Sequence, residues 1–159
     1  MASFTDLLDR RAEEIERPPL LPIGIYSAKV TKPHAVAEIT GKDGTIYERI
    51  EFPCAIVAAI EVDEQDLEDF GNVANQPFRR DWLMDTTEGE DAKRARTEFE
   101  IKTFLEALEV FSDGMTLGEG MAEAVGAEFA VEIGHRPDPN DADRVYLDVK
   151  RSLSLSDVE

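Results

Sequence analysis

The sequence predicts an α+β protein, mainly β, in which five strands form a sheet or barrel and one long helix lies between the third and fourth strands. Two observations place the sheet. Apolar and polar residues alternate along 129–133 and along 144–150, which is the period of half-buried strands. A third observation places the helix, because Ile101, Phe104 and Leu108 follow helical spacing.

The first predicted element is an N-terminal helix over residues 3–17, with Ser3 as its N-cap. Pro18 and Pro19 then end the helix, because proline disfavours helical geometry in the residue before it. An isolated helix of this length is marginal in water. We therefore expect residues 1–23 to be a helical arm on a proline-rich tether, docked on its own domain or on a neighbouring copy. The apolar stripe that would dock consists of Phe4, Leu7, Leu8 and Ile15.

The first two strands are predicted at 24–32 and 45–62, with turn glycines at 41–44 between them. Pro53 requires an edge position, a bulge or a bend in the second strand. Cys54 lies in an apolar run, which is typical of a buried structural thiol; as the single cysteine it forms no internal disulfide and fits a reducing cytosol. Alternation divides the strand into one face with Ile46, Ile50, Phe52, Cys54 and Ile56, and another with Tyr47, Arg49 and Glu51.

The middle of the chain is predicted to hold a short helix or loop at 61–70 and the third strand at 77–85. The long helix begins after a capping box formed by Thr87 and Glu90, or one residue earlier, and continues to about residue 110. Thr116 caps a second, short helix.

The C-terminal part is predicted to be a hairpin whose turn is the segment "DPNDAD", at 138–143. We expect one domain over 24–151 and a flexible tail over 152–159. A five-stranded OB-fold barrel has this strand order, with its helix after the third strand. A half-open sheet packed on the long helix would give the same pattern.

Several classes of function are disfavoured by the sequence. No apolar run approaches the ~20 residues that a membrane helix needs. His34 and His135 lie far apart, and no local pattern pairs either of them with a nucleophile. The acidic turn at 138–143 lacks the glycine and the final acid of a calcium loop. We therefore expect no enzyme activity, no metal, no cofactor and no membrane association.

Charge is unevenly distributed along the chain. The net charge is −18, yet segments 24–32, 77–85 and 144–151 together hold seven bases and three acids. In contrast, residues 61–70 hold six acids and no base. We expect the three basic segments to share one face of the domain, with the acids on the opposite side.

The stretch "QPFRRDWLMD", residues 76–85, places two arginines between Phe78 and Trp82, the only tryptophan. Alternation sets Phe78, Arg80, Trp82 on one face and Arg79 on the other. Trp82 fits either a core position or an exposed ring beside a cation, and bases of single-stranded nucleic acid stack on exposed rings. The candidate contacts for DNA are Tyr26, Lys29, Tyr47, Arg49, Arg79, Arg80, Trp82, Arg144, Tyr146 and Lys150.

The opening "DLLDRRAEEIERPPLLPIGIYSAKV", the helix after "FRRDWLMD" and the closing "GHRPDPNDADRVYLDVKR" resemble small bacteriophage-encoded proteins, including single-stranded-DNA-binding proteins with an OB-like barrel. The resemblance implies binding of single-stranded DNA with little sequence preference, during replication or recombination in the cytoplasm of a bacterial host. It also implies phage replication or recombination proteins as partners, and the arm allows a homo-oligomer. The alternative is an acidic, non-enzymatic protein-interaction module of a phage, such as a DNA mimic, that uses residues 61–70 and 86–126.

Overall fold

The computed structural model describes residues 4–12 and 19–158. They form an α+β fold with a six-stranded, antiparallel, open sheet. The strands are β1 (Gly24–Val30), β2 (Ala35–Thr40), β3 (Ile46–Val62), β4 (Pro77–Asp85), β5 (Glu128–Asp138) and β6 (Asp141–Leu153). The helices are α1 (Phe4–Leu8), α2 (Glu64–Phe70), α3 (Asp91–Ala107) and α4 (Leu117–Ala122), with a 3-10 turn at Leu155–Asp157.

The long strand β3 organises the sheet. β1 pairs with its C-terminal half and β2 with its N-terminal half, so these two strands follow one another along the same side of β3. β4 pairs with residues 47–55 on the other side. β5 pairs with the free side of β1, and β6 pairs with β5.

The sheet remains open between β4 and β6. Within the described residues each of these strands has a single paired neighbour, β3 for β4 and β5 for β6. Helix α3 packs against both of them. The half-open arrangement is therefore the one observed, and a closed barrel is not formed, because the two end strands make no hydrogen-bonded ladder.

The core lies between the inner face of the sheet and α3. Ile101, Phe104 and Leu105 on α3 are almost fully buried and pack on residues of β1, β3, β4 and β5. The two faces predicted for the second strand are confirmed over Ile50, Phe52, Cys54 and Ile56, which are all buried. Ile46 is the exception. It is the first residue of β3 and is 44% exposed.

Some predicted elements agree with the structure and others do not. β4 has the predicted bounds, and Thr116 caps α4 by accepting a hydrogen bond from the backbone N–H of Glu119. The long helix begins later than predicted, at Asp91, because Asp85 accepts the backbone N–H of Thr87 at 2.8 Å and holds that segment in a turn. β2 was not predicted, because its residues are mostly exposed and show no alternation.

The tether before β1 is bound to the domain. The side chain of Leu21 is 6% exposed and belongs to the core. The Tyr26 hydroxyl donates to the carbonyl of Pro22 at 2.6 Å, and His135 Nε2 donates to the carbonyl of Leu21 at 2.8 Å. Leu21 and Pro22, which precede the predicted start of the domain at residue 24, therefore contact that domain.

Within residues 4–12, the described part of the N-terminal arm, the α-helix covers only α1. α1 ends at Leu8, whose side chain is 67% exposed. The predicted helical positions 13–17, with Ile15 of the apolar stripe, lie outside the described residues. The docking of the arm therefore stays a prediction. No helix in the described part of the chain is long and apolar enough to cross a bilayer.

Residues of the C-terminal tail contact the domain, and the flexibility expected from residue 152 stays a prediction. β6 continues to Leu153, and the hydroxyls of Ser154 and Ser156 donate to Glu109 Oε1 at 2.6 and 3.1 Å. Glu109 follows α3 in the left-handed region, with a φ of 58°. These hydrogen bonds hold the pKa of the Glu109 carboxyl below its ordinary value.

We expect acid to release this tail. Because the pKa of Glu109 is lower in the folded chain, the contact stabilises the tail at neutral pH and is lost as the pH falls through that pKa. Amide protection factors for residues 154–158 should stay constant down to the ordinary glutamate pKa of 4.5 and fall as the pH is lowered further. Glu109→Ala should lower them already at neutral pH, and full protection in that variant would contradict the assignment.

Candidate nucleic-acid interface

A wide cleft of about 1180 Å³ lies where the sheet is open, between the first half of β4 and the middle of β6. The end of β1 and the centre of β3 complete its walls. Residues from all three basic segments of the sequence line this cleft. The three segments meet at the cleft, but the third contributes none of its bases to the lining, and three acids are present there, so the expected separation of bases from acids is not observed at this place.

The cleft has more bases than acids. Its basic lining residues are Lys29, Lys32, Arg79, Arg80 and Arg136, and its acidic ones are Glu51, Asp81 and Asp148. Lys29, Lys32 and Arg136 make no ion pair with any described residue. These three side chains leave positive charge available to an anionic ligand.

The outer face of β3 and β4 carries two arginines that are already paired. Arg49 lies 3.0 Å from Asp81, and Arg79 lies 3.1 Å from Glu51. Arg49 also approaches Glu51 at 3.8 Å. Exposed pairs of this kind contribute little stability, so a phosphate can replace a carboxylate partner, but the patch itself is neutral.

Arg80 lies on the inner face of β4. Trp82 lies on the same face, as the alternation predicts. Its guanidinium lies over the rings of Trp82 and Phe104, at 5.0 and 5.8 Å from their centroids. Nη1 donates to the carbonyl of Val149 at 3.5 Å, across the gap between β4 and β6. Burial lowers the pKa of Arg80. The Arg80 side chain thus reaches across the gap between β4 and β6 and divides this gap into two parts.

Two rings among the predicted contacts are in the core, which corrects their assignment as stacking surfaces. Tyr26 is fully buried, and burial, with a smaller contribution from Asp66, raises the pKa of its hydroxyl to about 12. Trp82 is 9% exposed and packs edge-on against Phe52. Alternation placed Trp82 and Arg80 on one face correctly, but that face is the inner one.

The remaining predicted contacts are on the surface but are not all together. Tyr146 is 40% exposed, lines the cleft, and donates its hydroxyl to Asp138 at 3.1 Å. Arg144 lies over the Tyr146 ring at 5.8 Å. Tyr47 is on the outer face of β3, away from the cleft, and Lys150 borders a second cavity described below.

Two residues of the cleft, Lys32 and Arg136, were absent from the predicted contacts. Arg136 pairs in register with Tyr146 across the hairpin. The turn position alone does not predict this pairing, because a register shift lies between Pro137 and Asp138. Lys32 lies just after β1, within the basic segment 24–32, so the sequence already indicated it as a candidate contact.

The single cysteine and the two histidines contact the core and the tether. Cys54 is buried, and burial raises the pKa of its thiol to about 12. His34 packs against the Phe52 ring with centroids 5.6 Å apart, and His135 binds the tether. Among the described residues no cluster of three potential metal ligands occurs.

No protein-family model matches this chain, and no curated protein matches it.

Proposed function

We propose that this protein binds single-stranded DNA in the cleft between β4 and β6, with little sequence preference. The observation that supports the proposal is the convergence of Lys29, Lys32 and Arg136, three cations without ion pairs in the described structure, on one open cleft. Cations that follow a backbone, beside an exposed ring such as Tyr146, are the means by which single strands are bound without sequence readout.

The net charge of −18 does not exclude this function. At physiological ionic strength the Debye length is about 8 Å, so acids farther than this from the cleft are largely screened. Binding then depends on local pairing with phosphates, and it should be strongly weakened by salt.

We propose further that the sheet is an OB-like barrel left open between its third and fifth principal strands. β1 and β2 run consecutively along one side of β3 and together correspond to a single interrupted first strand. β3, β4, β5 and β6 then supply the other four, and α3 follows the third, as in OB folds, which are often partly open. The resemblance to phage proteins adds a setting, replication or recombination of phage DNA.

The direct test is fluorescence anisotropy with labelled oligo-dT and with a duplex of equal length, between about 50 and 200 mM salt. We expect the single strand to bind more tightly than the duplex. Each neutralised phosphate contributes about 0.7 to the slope of log affinity against log salt, so the three unpaired cations predict a slope of about −2.

Equal affinity for the duplex would contradict the preference for single strands. Absence of binding at the lower salt concentration would contradict the proposal and favour the alternative, an acidic protein-interaction module. For that alternative the exposed acids of α2 and α3 would be the surface to test.

A further inference from the structure

A second cavity, of about 410 Å³, lies between β4, α3 and β6. It adjoins the cleft at Arg80, which lines both. Because Arg80 bridges the gap between the strands, the cleft lies on one side of its guanidinium and the cavity on the other.

The aromatic lining of the cavity leaves one ring accessible. Trp82 and Phe104 are buried, and the guanidinium of Arg80 lies over both rings. Phe99 lines the same cavity from α3 and is 65% exposed. A planar ligand would therefore stack on Phe99.

Two buried polar groups lie at the cavity without a hydrogen-bond partner in the described structure, Arg80 Nε and Ser152 Oγ. Both residues line the cavity. Buried polar groups are rarely left unpaired in native structures, and each such group calls for an explanation. Both atoms are covered by neighbouring protein atoms, so an acceptor in the cavity would satisfy them after a local shift of the lining side chains.

Lys150 and Arg151 line the same cavity, as does one acid, Glu100. A β-bulge sets Lys150 between Val149 and Arg151, which pair with Ile133 and Glu132. Bulges redirect side chains and occur often beside functional sites. The Lys150 chain lies across Gly134, where a Cβ would come within 2.4 Å of its Cε. Its ammonium makes no ion pair with a described residue, while Arg151 is paired with Glu132.

We propose that this cavity binds one nucleotide, with its base against Phe99, its acceptors toward Arg80 and Ser152, and its phosphate at Lys150. That chemistry fits the exposed ring of Phe99, the unpaired Arg80 Nε and Ser152 Oγ, and the ammonium of Lys150. The proposal rests on the proposed function, since a strand in the cleft would supply the nucleotide past Arg80; a free nucleotide has the same chemistry.

Trp82 provides the measurement, because the only tryptophan lines the cavity. We expect oligo-dT to change its emission. Phe99→Ala should abolish that change and weaken binding about 5- to 150-fold, the range for one stacked base. Leu83→Ala is the matched control, because Leu83 is 53% exposed on the opposite face of β4. It should leave both emission and affinity unchanged.

Thymidine monophosphate separates the two sources of the nucleotide. A change in Trp82 emission with the mononucleotide, lost in Phe99→Ala, would show that the cavity binds a free nucleotide. A response to oligo-dT alone would assign the cavity to a nucleotide of the strand.

The remaining outcomes separate the two proposals. If oligo-dT binds with the expected salt dependence, but Phe99→Ala changes neither affinity nor emission, the cavity proposal is wrong and the cleft proposal stands. If no oligonucleotide binds, the cleft proposal is wrong, and the mononucleotide titration alone decides the cavity. If neither oligo-dT nor thymidine monophosphate changes the emission of Trp82, the cavity proposal is wrong. Circular dichroism of Phe99→Ala would verify that this exposed substitution leaves the fold intact.

Discussion

Phe104→Ala should reduce the free energy of unfolding by about 3–5 kcal/mol, the range for truncating a fully buried phenylalanine. Phe104 is 1% exposed. Its ring centroid lies 5.1 Å from that of Phe52, 5.5 Å from that of Trp82 and 5.3 Å from that of Phe129. These rings come from β3, β4 and β5, so one side chain of α3 joins three strands of the sheet.

Urea denaturation measures this loss, and Phe99→Ala is the matched control. It removes the same ring from the same helix at a position that is 65% exposed. Exposed substitutions usually change stability by about 0.5 kcal/mol or less. Phe104→Ala should therefore lose stability, whereas Phe99→Ala should lose nucleotide binding. Equal stability of the two variants would contradict the packing of α3.

The double variant Lys29→Glu, Lys32→Glu should weaken oligo-dT binding by about 100-fold at low salt and reduce the salt slope by about 1.4, because two phosphate contacts of about 0.7 each are replaced by repulsion. Both lysines are exposed and line the cleft. Substitution at these surface positions should leave the fold intact.

The control for this experiment keeps the total charge equal. Lys42 and Lys102 are also exposed and lie outside the cleft. Changing both to glutamate makes the protein more negative by the same four units. If binding depends on local contacts, this control should lose less than about threefold, since distant charges are screened. Equal losses in the two double variants would mean that affinity follows net charge rather than the cleft.

Alternation in the sequence predicted which residues share a face of a strand, but it did not predict which of the two faces is buried. In β4 the alternation of Phe78, Arg80 and Trp82 against Arg79 was correct. An arginine on the inner face is not expected from the pattern, because its burial depends on Phe104, a helix residue that is distant in sequence, and on the carbonyl of Val149.

The missing strand β2 has a different cause. Its residues have low apolar periodicity because both of its faces are largely exposed, and its pairing with β3 is its main support. The cleft was predictable only in part. Basic segments are visible in the sequence, but their meeting depends on where the sheet opens, which strand patterns do not determine.

The open sheet has a consequence for how the protein behaves in concentrated solution. An unpaired strand edge can pair with the edge of another molecule, and charged side chains along it oppose that association. β4 and β6 both carry such charges, including Asp81 and Arg151. A large net charge also keeps molecules apart. The net negative charge and the charged side chains along these strands therefore oppose association through the unpaired edges of β4 and β6.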